Sequence, residues 1–413
     1  MLPLDARLDF RPEREEEFFA ALPARAAVVL VELRETSGDP YLARTADLRR
    51  RLERLLRAPE GASRRLNLRE LAARVHYRLT GSAFEQALVL YQHARTLYPR
   101  RYRDLARLRP PALLKLNLTN EYPRCYVTRR ILADGGFYFG PFPTRRAAEA
   151  FANEFLNLFK IRRCQIKIRR DPSFPGCIYS EMKMCLAPCF AGCSKADYDV
   201  EVGRVAGFLA SSGGALVHEF EREREAASEG LDFERAAALH RKIEKVAEVL
   251  RGLPELARKL DELDAVVLQP AAEENTVAVF AVRSGRIADP FFLCFGELAS
   301  QPRSVEEILR EHLEPPPLEP QRNTEEGRLV SGTAPSLGEK GDAGSRPLAA
   351  PEELAEHLAL LARWFYSKPR RGEIFFRGAD WPYRRIIRAC SRLLAPQGSL
   401  PFASDAERAP GSA

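Results

Sequence analysis

Five of the eight cysteines stand within one short stretch: Cys164, Cys177, Cys185, Cys189 and Cys193, separated by twelve, seven, three and three residues. Four thiolates so placed can hold a [4Fe-4S] cluster or a structural zinc ion. Structural zinc usually takes its ligands as two tight pairs, and gaps of twelve and seven fit that pattern poorly. Chance grouping of buried thiols is the plain alternative, and their density argues against it. Arg162, Arg163, Lys167, Arg169 and Arg170 surround the first thiol and favour its ionised form. The implied chemistry is soft-metal ligation that pins a loop-rich segment.

Those basic residues belong to a larger block. Arg95 to Arg170 carries 18 Lys+Arg against five Asp+Glu, a net +13 in a chain whose total is +7, so the remainder is acidic. A basic segment inside an acidic chain is the footprint expected for a phosphate backbone, though a solvated Arg-rich surface has the same composition. Double-stranded DNA is the partner it suits, with the pairs Arg100-Arg101, Arg129-Arg130, Arg145-Arg146 and Arg162-Arg163 as candidate contacts. With 45% hydrophobic and 29% charged residues the chain is ordinary globular material. No apolar run is long enough to cross a membrane, and acids in MLPLDARLDFRPEREEEFF break the stretch a secretory signal needs. A cytoplasmic, reducing setting follows, in which grouped thiols read as ligands before disulfides.

At about 100–200 residues per domain, the length allows two to four domains, and the patterning divides the chain. Residues 20–110 form a small α/β unit: a strand at Ala27–Leu33, a helix from Thr45 to Leu56, a strand at Val75–Leu79 and a helix running to Leu97. Residues 111–195 add strands at Lys115–Leu118 and Cys125–Ile131, a loop over Phe137–Pro143, a helix from Thr144 to Lys160, and the cysteines. Residues 196–255 are helical, and 260–313 are strand-rich with one helix at the end. Pro, Gly, Ser and charge dominate 314–350, which reads as a disordered linker. Residues 351–396 follow as helix, strand and helix. The fold class is α+β, in several domains.

The stretch KLNLTNEYPRCYVTRR (115–130), then FYFGPFPTRRAAEAFANEFLNLFKIRRC (137–164) and CLAPC (185–189), resembles the UvrC family of the UvrABC excinuclease. The resemblance covers roughly residues 20–300 and is strongest from Lys115 to Val249. It implies nucleotide excision repair, within the SOS response, and a chain equivalent to the family's N-terminal half. It also implies a GIY-YIG nuclease domain at 20–110, followed by an iron–sulfur cluster. Cys164, Cys177, Cys185 and Cys189 match the family's ligands, and Cys193 is an extra.

The nuclease constellation comes through incompletely. The family's first motif falls on Ala27-Val28-Val29, so Val29 stands where a Tyr is expected; the second keeps Tyr41. Arg51 matches the Arg that stabilises phosphorane charge. The helix SAFEQALVLYQH aligns with the one bearing the metal Glu, and Leu90 fills that place. A Leu offers Mg²⁺ no oxygen, so magnesium belongs here only if the site works through another acid such as Glu85. A further family loop is replaced near Leu108-Arg109-Pro110-Pro111. The resemblance makes 260–313 a truncated remnant of the family's RNase H-like half, without its recognisable acids. His312 and His357 lie on helical patterns and read as surface or packing residues.

Residues 216–250 resemble the UVR motif by which the family meets UvrB. Periodicity predicts an antiparallel hairpin, with Leu216, Phe220 and Ala227 facing Phe233, Ala236, Ala237, His240 and Ile243. The resemblance makes Leu231, Phe233, Ala236, Ala237, His240 and Ile243 the candidate contacts for a UvrB-like helicase. Three functions stay open: a DNA-binding repair protein with a dead incision site, a working metal-dependent single-incision excinuclease component, and a protein-interaction module with no DNA role.

Overall fold

The computed structural model describes residues 1–34, 38–58, 66–296, 303–314 and 350–394. The segment read as a linker lies, apart from its end residues, outside the described residues.

The N-terminal unit comprises β1 (Ala6–Asp9), α1 (Glu15–Ala21), β2 (Ala27–Leu33), β3 (Tyr41–Thr45), α2 (Leu48–Leu56), β4 (Ala72–Leu79), α3 (Ala83–Leu97) and the short α4 (Tyr102–Leu105). Its antiparallel sheet runs β1-β4-β2-β3. β1, absent from the sequence reading, pairs Ala6 with Tyr77 and so extends the unit to the chain's first residues. The β-branched run of β2 is buried on both faces. Val29 and Val31 meet Leu48, Leu52, Leu55 and Leu56 of α2, while Val28 turns to α3. Asp47 caps α2 and Ser82 caps α3, each accepting a backbone N–H three residues on.

The middle unit comprises β5 (Ala112–Leu116), β6 (Cys125–Thr128), β7 (Phe137–Phe142), α5 (Arg145–Leu156), α6 (Ile178–Glu181), α7 (Lys195–Ala210), α8 (Gly214–Glu229), α9 (Phe233–Arg251) and β8 (Arg258–Lys259). The stretch Phe137–Pro143, expected as a loop, is instead the buried strand β7, paired with both β5 and β8. Its Gly and Pro suggested a turn, but three aromatic rings between them fill the core below α5, and burial of that area outweighs local turn propensity. α7 lays Tyr198, Val202, Val205, Phe208 and Leu209 into the same core, so 111–195 and 196–255 share one interior. Gly213 permits the turn into α8: its φ is 87°, and a Cβ there would stand 2.7 Å from Leu250.

The hairpin α8–α9 forms as expected, with a different inner stripe on α9. Leu239, Val246 and Val249 are buried, and Ala236 and Ile243 are partly so. Phe233, Ala237 and His240 face outward.

The last unit comprises β9 (Ala265–Pro270), β10 (Thr276–Arg283), β11 (Arg286–Ile287), β12 (Phe291–Cys294), α10 (Val305–Leu313), α11 (Pro351–Phe365), β13 (Glu373–Phe376) and α12 (Tyr383–Leu394). β13 pairs antiparallel with β9, so 351–394 and the strands before the undescribed segment build one sheet. α11 covers one face and α12 the other. α3 is buried nearly all round, between its own sheet and this last unit: Phe84 meets Phe280 edge-on at 5.0 Å and Trp364 at 5.2 Å.

Candidate functional site

β3 and α2 bring together Tyr41 and Arg51, the two residues expected from the resemblance to a nuclease. Arg51 donates to the Tyr41 hydroxyl, and its guanidinium lies 5.7 Å from the ring centre. Arg51 has no ion pair among the described residues, and its buried Nε lacks a hydrogen-bond partner. Val29 lies two residues along β2 from the Val31–Tyr41 pair and is wholly buried. Leu90 sits on α3 in the core on the opposite face of the sheet. Glu85, the alternative acid, is spent within the fold: its carboxylate accepts the Gly81 N–H at 3.0 Å and lies 3.5 Å from Arg78 Nε. Burial raises its pKa, with the Gly81 and Arg78 contacts opposing. The arrangement offers a cation and a phenol without a carboxylate.

The thiol segment is held by backbone bonds rather than by long elements. Arg162 is its anchor: the buried guanidinium donates to the carbonyls of Tyr122 (2.7 Å) and Ile166 (2.8 Å). Leu186 N–H bonds Lys160 O, and Asp171 N–H bonds Cys189 O. Burial pushes the Cys185 thiol up to about 11, and the charges of Cys164, Cys189 and Cys177 add to the rise, so these four lie within electrostatic reach of one another. The Ala187 N–H, 3.3 Å from Cys185 Sγ, opposes it. Cys193 neighbours Cys189, Asp197 and Arg170 instead. Among the described residues no group of three closes to metal-ligand spacing. As donors, the four fit a thiophilic centre: ionised together they repel, and a shared cation removes that cost. Cys125 and Cys390 are buried elsewhere, in separate cores, and Cys294 is exposed on β12.

The basic candidates divide. Arg100, Arg101, Arg129, Arg130 and Arg146 are exposed and have no carboxylate partner among the described residues. Arg145 pairs with Glu149 at 2.6 Å. Arg163 is half-buried against Asn157, and burial lowers its pKa. Arg162, occupied as described, is not available to a phosphate in this conformation. The loop bearing Arg129 and Arg130 is fixed from below by the buried Lys115, which pairs with Asp134 while Tyr138 accepts the Leu132 N–H. Sequence reading missed this anchor, whose only signal is a lysine inside an apolar strand.

At the hairpin tip Leu231 and Phe233 are 73% and 67% exposed. Leu231 holds φ 55°, a left-handed position where Gly is preferred.

Residues 113–208 match the family model described as UvrC/Cho excinuclease, middle domain. The UvrABC system protein C of Ruminiclostridium cellulolyticum is 31% identical over 42% of this chain and 28% of its own length. That of Carboxydothermus hydrogenoformans is 29% identical over 60% of this chain and 40% of its own. The Moorella thermoacetica protein is 28% identical over 72% and 48%. Over these stretches the chain is similar to the UvrC family. It spans less than half the length of these curated relatives. No solved structure matches. The matched middle domain contains β5 to β7, α5 and all five grouped thiols, so the shared part is the platform that carries the cysteines and most of the basic candidates. No helix among the described residues is long and apolar enough to cross a membrane.

Proposed function

We propose that this UvrC-like chain is a cytoplasmic nucleotide-excision-repair protein that binds double-stranded DNA and a UvrB-like helicase but does not cut. The observation that carries this reading is α3: the place of the family's metal Glu is Leu90, inside an apolar core closed by Phe280 and Trp364. Tyr41 and Arg51, still joined, would bind a phosphate without the metal that hydrolysis requires. DNA contact would run through Arg100, Arg101, Arg129, Arg130 and Arg146. The UVR-like hairpin would meet its partner through Leu231, Phe233, Ala237 and His240, with Ala236 and Ile243 beneath.

Cys164, Cys177, Cys185 and Cys189 would hold a [4Fe-4S] cluster, with zinc the competing occupant. Such a centre would cross-link a segment that otherwise rests on a few backbone bonds. Anaerobically purified protein is expected to be brown with stoichiometric iron; colourless, zinc-loaded protein refutes the iron assignment.

The deciding experiment is a metal-dependent nicking assay with Arg51→Ala as control. Neither protein is expected to nick above background with Mg²⁺ or Mn²⁺. Robust nicking that disappears in Arg51→Ala would restore the single-incision reading. Negligible DNA affinity even at low salt would favour the interaction module.

A further inference from the structure

Three parts of the chain far apart in sequence enclose one cavity of about 360 Å³: Leu108 and Pro110 after α4, the β6–β7 loop from Arg129 to Leu132, and the first turns of α11. Pro351, Ala355 and Ala359 stand four residues apart and so line the cavity from one face of α11, where their small side chains leave the space open. Ile131 is buried in the shared core, whereas Leu132, also lining the cavity, is 51% exposed. Hydrogen bonds within it and from β7 hold the loop in shape. Thr128 Oγ1 accepts the Arg130 N–H at 3.0 Å, Tyr138 accepts the Leu132 N–H at 2.9 Å, and Asp134 accepts the Gly136 N–H at 3.2 Å. A site so preformed spends little entropy on binding. Both acids of the wall are matched, since Arg103 donates to Glu356 at 3.0 Å and to Glu352 at 2.9 Å. Arg129 and Arg130 line the same cavity without a carboxylate partner among the described residues, so theirs is the charge it offers. The buried Glu356 accepts from Tyr91, Tyr102 and Arg103, and a carboxylate has about four places for a donor, so one remains.

We propose that this cavity holds a single nucleotide, with its phosphate on Arg129 and Arg130 and its base among the apolar residues between the loop and α11. Neighbouring guanidiniums grip a phosphate with directional N–H donors, and an apolar lining shelters a base out of water. The remaining place on Glu356 suits a base that carries an amino group. The volume lies at the lower end of the range of about 300–1,000 Å³ in which small ligands are held, which admits one nucleotide and not a longer strand. A free mononucleotide and an unpaired nucleotide of a DNA strand share this chemistry, whereas a base stacked within a duplex has no access. The strand form rests on the proposed DNA binding; the site itself does not.

The test uses the full chain with Ala355→Leu, which fills the cavity, and Leu132→Ser, which removes an exposed part of its wall and spares the core. A circular dichroism melt checks that each variant folds. Deoxyadenosine monophosphate is expected to bind the wild type in calorimetry and both variants about tenfold more weakly, the order of one sheltered base. If the source is DNA, the wild type prefers a duplex with one unpaired adenine over the paired duplex by about tenfold. Both variants then lose that preference and keep their affinity for the paired duplex. Mononucleotide binding without the preference assigns the site to a free nucleotide, and the preference without mononucleotide binding assigns it to the strand. A wild type that shows neither, or variants that keep whatever the wild type shows, overturn the site. A wild type that binds the mononucleotide but no DNA sinks the repair reading and leaves the site standing.

Discussion

The proposed loss of incision rests on single residues. Tyr41 and Arg51 survive as a bonded pair, so the geometry for gripping an anion persists. On the proposed reading the resemblance lacks both a Tyr, at Val29, and the metal's oxygen donor, at Leu90; Glu85 does not supply the latter, since its carboxylate is committed to Gly81 and Arg78 inside the fold. The titration of Glu85 tests that commitment. Burial raises its folded pKa above the unfolded value, so the folded state binds its proton more tightly. The stabilising contribution is complete below the unfolded pKa and is lost as pH rises through the folded one. Glu85→Gln keeps an acceptor for Gly81 and removes the ionisation, while Arg78 retains Asp5 at 3.0 Å. The variant should therefore match the wild type near pH 4 and melt higher at pH 7, followed by circular dichroism. A variant that melts lower at pH 7 would mean that the ionised carboxylate is needed in the fold.

Elements were legible where one physical rule dominated, and obscure where two competed. The apolar run of β2 and the capped α2, α3 and α5 are local signals, and each stands where its residues put it. β7 was hidden because Gly140, Pro141 and Pro143 spell a turn, while Phe137, Phe139 and Phe142 are recruited by a core built from distant segments. α9 was hidden differently. It carries two apolar stripes at helical spacing, one through Phe233, Ala237 and His240, the other through Leu239, Ile243 and Val246. Periodicity alone cannot rank them; facing α8 selects the second, with its larger branched side chains. The outward stripe yields a prediction. Leu239→Ala should cost about 2–5 kcal/mol by opening a cavity. Phe233→Ala, exposed, should change stability by less than about 0.5 kcal/mol yet abolish capture of a UvrB-like helicase in a pull-down. Equal capture by both proteins would remove the hairpin tip from the interface.

At the scale of the molecule, three sheets are not three independent bodies. One core runs from Leu2 and Val28 through α3 to Phe280, Leu361 and Ile374, so the last unit completes the burial of the first. Polar contacts reinforce it: the buried Glu356 of α11 accepts from Tyr91 at 2.8 Å and from Arg103 at 3.0 Å, with Tyr102 also donating. Burial and the Glu356 contact push the Tyr91 hydroxyl well above its ordinary range, which keeps it a donor at any physiological pH. Such an interior should unfold as one cooperative step across the first and last units. Both tryptophans, Trp364 and Trp381, lie in the last unit, so fluorescence reports there alone. Leu52, in the separate core beneath β2, does not belong to the shared one. Leu52→Ala should cost about 2–5 kcal/mol, and the tryptophan transition should move to lower denaturant by the full amount seen in circular dichroism. A tryptophan midpoint that stays in place would mean that the last unit folds on its own. α3 would then be covered by a detachable lid, and its burial would no longer argue against an incision site beneath it.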